Sequence, residues 1–135
     1  MVRVYLAGPM SESQDANGVD HVPDARLDAF ERAELWLRTH GLTWLPIVNR
    51  HAGEAVAVFN PADEYRRCPF ITRHACIRRD LRIMADCEII FALDGYQTSV
   101  GCALELAVAL HMGLAGWHLS ESMAHDPRYE LHRLL

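Results

Sequence analysis

Apolar and polar positions alternate from the start of the chain. Val2, Val4 and Leu6 are separated by Arg3 and Tyr5, and a period of two predicts a first strand of about six residues. Gly8-Pro9 ends it, and the polar stretch from Ser11 to Pro23, with Asn17-Gly18 inside it, predicts a flexible loop over the strand's carboxyl end. The pattern then changes to a helical period. Leu27, Phe30, Ala33 and Leu37 form one stripe of a helix capped by Asp24, running to His40 and stopped by Gly41.

Residues 42–48, Leu-Thr-Trp-Leu-Pro-Ile-Val, predict a second strand, which Pro46 ends early or places at an edge. The span 49–72 carries Gly53, Pro61 and Pro69 without clear periodicity and reads as a long connection. Ile77, Leu81 and Met84 put a helix over 73–86. A buried strand over 88–94 follows, then the loop Gly-Tyr-Gln-Thr-Ser-Val-Gly to Gly101, a helix to Met112 and a short strand over 114–119. The tail from Ser120 to Leu135 reads as a last turn of helix.

Strands alternating with helices imply a parallel sheet covered on both faces. The expected fold is therefore α/β: one small Rossmann-like or flavodoxin-like three-layer domain over residues 1–135, with a sheet of about four to five strands. Half of the residues are hydrophobic, enough for a real core in one domain of 135 residues. No apolar run approaches the ~18 residues needed to cross a bilayer. The amino terminus starts directly on a strand without a signal-like apolar core, so no membrane role and a cytoplasmic location are expected.

A net charge of −5 argues against a surface for nucleic-acid polymers, while leaving small nucleotide ligands open. Cys68, Cys76, Cys87 and Cys102 form no C-x-x-C pair and read as reduced core residues. The eight histidines make no ligand pair, so neither a metal nor another cofactor is expected.

The candidate chemistry collects at the carboxyl edge of the expected sheet, where open α/β sheets bind ligands. Glu105 is the one charge in a helix that is apolar nearly all round. It is placed in about the first turn, where the positive helix end favours an ionised carboxylate, the form a glycosidic nucleophile requires. Asp80 lies between Ile77 and Met84 on an apolar stripe and needs a partner or a purpose; Arg78, Arg79 and Arg82 are possible partners. Tyr5 alternates with core valines, and its ring either covers a planar base or sugar or is simply half-buried in the strand. Gly8 permits close approach of a ligand to the backbone. Ser99 and the amides near Gly101 either donate to an anion or cap the helix, and Asp94 opens the same loop. The pattern is not G-x-G-x-x-G, which disfavours a dinucleotide oxidoreductase.

Three stretches in this order resemble the nucleoside 2-deoxyribosyltransferase superfamily. They are Val4-Tyr-Leu-Ala-Gly-Pro-Met10, Asp80-Leu81 with Cys87-Glu-Ile-Ile90, and Ser99-Val-Gly-Cys-Ala-Leu-Glu-Leu106. The superfamily includes deoxynucleoside 5′-monophosphate N-glycosidases and short phage and bacterial relatives. The resemblance spans roughly residues 2–118, and Tyr96-Gln-Thr-Ser-Val-Gly101 is closest to the loop of the short relatives.

The resemblance implies cleavage or exchange of the N-glycosidic bond of a (2′-deoxy)nucleoside or its 5′-monophosphate, by hydrolysis or transfer, through a covalent glycosyl-enzyme. It implies Glu105 as nucleophile, Asp80 as the residue that orients the sugar or assists protonation of the base, and Tyr5 as a pocket residue of the catalytic set. Gly8, Pro9, Met10, Asp94, Ser99 and Gly101 would bind substrate. It also implies a homo-oligomer whose neighbour completes the site, with Ser120, Ser122 or Met123 as candidates.

Ser99 stands where transferases acting on free nucleosides often carry aspartate. A hydroxyl donates to a 5′-phosphate that a carboxylate would repel. No arginine follows Gly8, and Arg50, Arg66, Arg67 or Arg73 would have to replace it. The competing class is a non-catalytic nucleotide-binding protein, a sensor or sequestering module on the same fold.

Overall fold

The computed structural model describes residues 1–40, 55–122 and 128–134. The strand expected over 42–48, the stop at Gly41, Arg50, Gly53 and Met123 lie outside the described residues.

The first strand, β1 (Val2–Ala7), forms as its alternation predicts. It pairs in parallel with β4 (Val56–Phe59) on one side and β5 (Ile89–Leu93) on the other, with Val4 opposite Val58 and Ile89. β5 pairs in parallel with β6 (Ala115–Ser122), and β6 pairs antiparallel with β7 (Arg128–Arg133). Among the described residues the sheet order is β4-β1-β5-β6-β7.

Period-two alternation sorts β1 between two cores. Val2, Val4 and Leu6 pack under α1 (Asp24–His40) against Leu27, Phe30, Ala33 and Leu37. Tyr5 and Ala7 face the opposite side, with Met84 of α3 (Arg73–Met84) and Cys102, Leu106 and Ala109 of α4 (Val100–His111). This is the expected three-layer α/β arrangement. From β1 the chain proceeds to β4 on one side, and from β5 to β6 on the other. The crevice between the carboxyl ends of β1 and β5 is therefore a topological switch point, the place where such sheets bind ligands.

Three expectations are corrected. The span 49–72 is not all connection, because β4 and α2 (Pro61–Arg67) form within it. The overlooked start signal is Asn60-Pro61: Asn60 Oδ1 accepts from the Ala62 amide at 2.9 Å, and proline occupies the first helical position. The tail is a strand, not a helical turn, and it pairs along β6. The polar loop after β1 holds a small hairpin, β2 (Ser13–Gln14) with β3 (Asp20–His21). Gly18 turns it at φ 77°, and Asp15 Oδ1 accepts from the amides of Asn17 and Val19 at 2.8 and 3.0 Å.

Candidate active site

A cleft of about 300 Å³ opens at the carboxyl edge between α3, α4 and the segment after β1. Gly8, Pro9 and Met10 form one wall, Ser99 and Gly101 another, and Asp80 and Glu105 carry its carboxylates.

Ser99 starts α4. Its hydroxyl oxygen accepts from the Cys102 amide at 3.2 Å, so the capping role is real. A hydroxyl that accepts one bond retains its own O–H, which leaves a donor on the cleft wall. A single-turn 3₁₀ segment (Tyr96–Thr98) precedes it, set off by Gly95 at φ 85°. Apart from its chain neighbours and its own helix backbone, no described atom lies within 4 Å of where a Gly101 Cβ would be, so the helix start is open there.

Glu105 lies in the second turn of α4 rather than the first. Its Oε2 is enclosed by protein and has no hydrogen-bond partner among the described residues. Burial pushes its pKa up to about 7; the Tyr5 hydroxyl draws it back down and the charge of Asp80 adds to the rise. The expected help from the helix dipole is thus outweighed, because desolvation of a carboxylate exceeds what a helix end supplies.

Tyr5 does not present its ring to the cleft. The side chain is fully buried and stacked on Phe59, with ring centroids 5.1 Å apart. Its hydroxyl, also enclosed and without a formed bond, is close enough to Glu105 for each group to affect the other's proton. Burial and then Glu105 hold the phenol well above its ordinary pKa, so Tyr5 remains an O–H donor.

Asp80 is buried at 6% exposure and has found its partner: Arg79 Nε donates to Oδ1 at 3.0 Å. The Cys76 thiol reaches Oδ2 at 3.5 Å. Burial raises the Asp80 pKa, against the charge and hydrogen bond of Arg79 and the bond from Cys76.

Asp94 is not brought to this cleft. His118 Nε2 stands 2.8 Å from its Oδ1, and the Glu121 amide donates to Oδ2 at 3.0 Å. It lines a separate small cavity beside α1, with Arg26, Leu93 and Glu121. Gly8 does line the Glu105 cleft, but its small size is needed for packing. A Cβ there would sit 3.1 Å from Leu93 Cβ and 3.2 Å from Phe30 Cζ.

Of the arginines considered as substitutes, Arg73 reaches the cleft, where its Nε stands 3.3 Å from Asp20 Oδ1. Arg66 pairs with Asp28 and Glu31, and Arg67 with Glu64; neither lines the cleft. Sequence reasoning missed Arg26, whose Nη1 donates to the carbonyls of Met10 and Ser11 at 3.3 and 2.7 Å on the cleft rim. Its place in the first turn of the helix that follows β1 was the available signal, since that turn lies at the same sheet edge. Among the described residues no group of three or more His, Cys, Asp or Glu is arranged to hold a metal. No helix there is long and apolar enough to cross a membrane.

The family described as Domain of unknown function (DUF4406) matches residues 2–116. No curated protein matches the chain. Among solved structures, the 2-desoxiribosyltransferase from Leishmania mexicana is similar, with a TM-score of 0.56 and 17% identity over 96% of this chain and 79% of that one. At that identity the likeness establishes the shared fold.

Proposed function

The chain belongs to the family described as Domain of unknown function (DUF4406), and from the cleft its fold builds we propose that it cleaves or exchanges the N-glycosidic bond of a (2′-deoxy)nucleoside or its 5′-monophosphate. The observation that carries this reading is the enclosed Glu105 Oε2, unpartnered among the described residues, in a cleft at the switch point and close to the Tyr5 hydroxyl. An unpaired buried carboxylate costs stability, and a substrate whose reacting carbon becomes positive gives it a purpose. The similarity of the fold to a 2-desoxiribosyltransferase supports the same chemistry.

In the proposed reaction, ionised Glu105 attacks C1′ as the bond to the base breaks. The bonding pair leaves on the base nitrogen, and the sugar passes through an oxocarbenium-like state. The departing base takes a proton from water, since Asp80 is engaged by Arg79 and Asp94 lies elsewhere. In hydrolysis a water oxygen then forms the new bond to C1′, the ester to Glu105 breaks, and the water's proton balances the one taken by the base. In transfer, a second base takes the place of that water. Tyr5, kept protonated, orients the Glu105 carboxylate.

The rim suits a 5′-phosphate. Arg26 and Arg73 supply the guanidiniums, and the Ser99 O–H supplies a neutral donor on the cleft wall. The exposed apolar residues Val100, at 85% exposure on the cleft edge, Leu104 of α4 and Met112 just beyond it suit the second copy expected to complete the site. Incubation with nucleosides and their monophosphates, followed by chromatography for free base, tests the reading. Release by the parent and none by Glu105→Ala is expected. Equal release by both would remove Glu105 from the mechanism.

A further inference from the structure

The cation that holds Asp80 stands behind the cleft wall. Asp80 and Cys76 line the cleft, whereas Arg79 does not. We propose that Arg79 is a positioning residue: it holds Asp80 as a negatively charged hydrogen-bond acceptor for a hydroxyl of the bound sugar, with the Cys76 thiol fixing the second carboxylate oxygen. This rests on the reading above that the cleft takes a sugar.

Cys76, Arg79 and Asp80 stand at i, i+3 and i+4 of α3, so their side chains meet over one turn. Arg79 Nε donates to Asp80 Oδ1 at 3.0 Å, Cys76 Sγ to Oδ2 at 3.5 Å, and Arg79 Nη2 to Cys76 Sγ at 3.2 Å. The three form a closed ring. The guanidinium is tethered on its far side by Glu64 of α2, 3.9 Å from Nη1. Each Asp80 oxygen thus has one donor from its own helix. A carboxylate has about four acceptor positions, so capacity remains on the cleft side.

The other titratable groups near Asp80 are Tyr5 of β1, Glu105 of α4 and Glu64 of α2, with the Arg73–Asp20 pair on the rim. Two buried carboxylates beside one cleft do not both ionise readily unless a cation accompanies one of them. Arg79 bonds Asp80 and not Glu105, and this asymmetry sorts the pair. Arg79 favours the charged form of Asp80, while Glu105, without a cation, ionises at higher pH. Asp80 then serves binding rather than proton donation.

The test follows the side-chain carboxyl of Asp80 by ¹³C NMR through a pH titration, in the parent and in Arg79→Met, with Asp80→Asn assigning the signal. Its midpoint is expected to rise by about one pH unit or more in Arg79→Met; in assays at a pH below both midpoints KM should rise roughly tenfold for each unit, with kcat changing less. Arg79→Lys restores part of the KM, and Arg79→Met adds nothing in an Asp80→Asn background. An unchanged Asp80 titration, or a full Arg79→Met loss in that background, overturns the proposal. If Arg79→Met does not fold, Arg79→Lys and Cys76→Ala carry the same NMR measurement with smaller displacements. The NMR measurement needs no substrate. A parent that turned over no nucleoside would therefore count against the function above, while the titration still decided whether Arg79 sets the charge of Asp80.

Discussion

The Tyr5 hydroxyl and Glu105 Oε2 are buried close together, each shielded from solvent and, among the described residues, neither in a formed hydrogen bond. Of the influences on Glu105, burial and Asp80 favour the protonated form, and Tyr5 favours the ionised one.

Tyr5→Phe should therefore raise the pKa of Glu105 further. Because the proposed nucleophile is the ionised form, kcat/KM of the parent should climb as pH rises through about 7. In Tyr5→Phe that climb should move to higher pH, with a loss of roughly tenfold at neutrality. Removing an unpartnered buried hydroxyl leaves the fold intact, so Tm should change little. Initial-rate profiles between pH 5 and 9 check this.

Glu105 should destabilise the protein it serves. Its pKa rises from 4.5 to about 7 on folding, so folding costs nothing extra below 4.5, where both states are protonated. Between those values the unfolded state releases its proton and the folded state retains it, and stability falls as pH rises. The displacement corresponds to roughly 3 kcal/mol at most. Glu105→Gln should thus unfold at higher denaturant than the parent at pH 8, with the difference vanishing near pH 4.

Asp94→Asn should spare turnover. Its carboxylate bonds His118 and the Glu121 amide and lines another cavity. A stability loss of about 1 kcal/mol, with kcat/KM within a few-fold of the parent, is expected from denaturant titration and base-release assays. A loss comparable to that of Glu105→Ala would place Asp94 in the chemistry after all.

A 5′-phosphate should improve the substrate through Arg26 and Arg73. The monophosphate should exceed its nucleoside in kcat/KM by about tenfold or more at low salt. Arg73→Met should reduce that preference while leaving the free nucleoside nearly unaffected. Equal use of both substrates by the parent would leave these arginines without the proposed role.

Strong periodicities made the frame legible. The alternation of Val2, Val4 and Leu6 and the stripe Leu27, Phe30, Ala33 and Leu37 identified β1 and α1 and the faces they bury. The short elements were not legible. β4 has only four residues, and the start of α2 rests on one cap and one proline. β7 is defined by its antiparallel pairing with β6, which the propensities of its own residues do not report.

Within the site, Glu105, Asp80 and Ser99 were legible because a lone charge on an apolar helix and a serine before one are local signals. Arg26 became visible only when folding brought the first turn of α1 beside Met10 and Ser11. Asp94 follows the end of β5 whereas Glu105 sits on α4, and what turns Asp94 away from the cleft is its tertiary pairing with His118 and the Glu121 amide, which no local pattern reports.

The most direct test is to mix the protein with a nucleoside or its monophosphate, quench within the first turnovers, and measure intact mass followed by peptide mapping. Protein heavier by one sugar or sugar-phosphate residue is expected, with the added mass on the peptide containing Glu105 and free base released in at least equal amount. Base release with no adduct on that peptide, or an adduct that persists in Glu105→Gln, would contradict the proposed reaction.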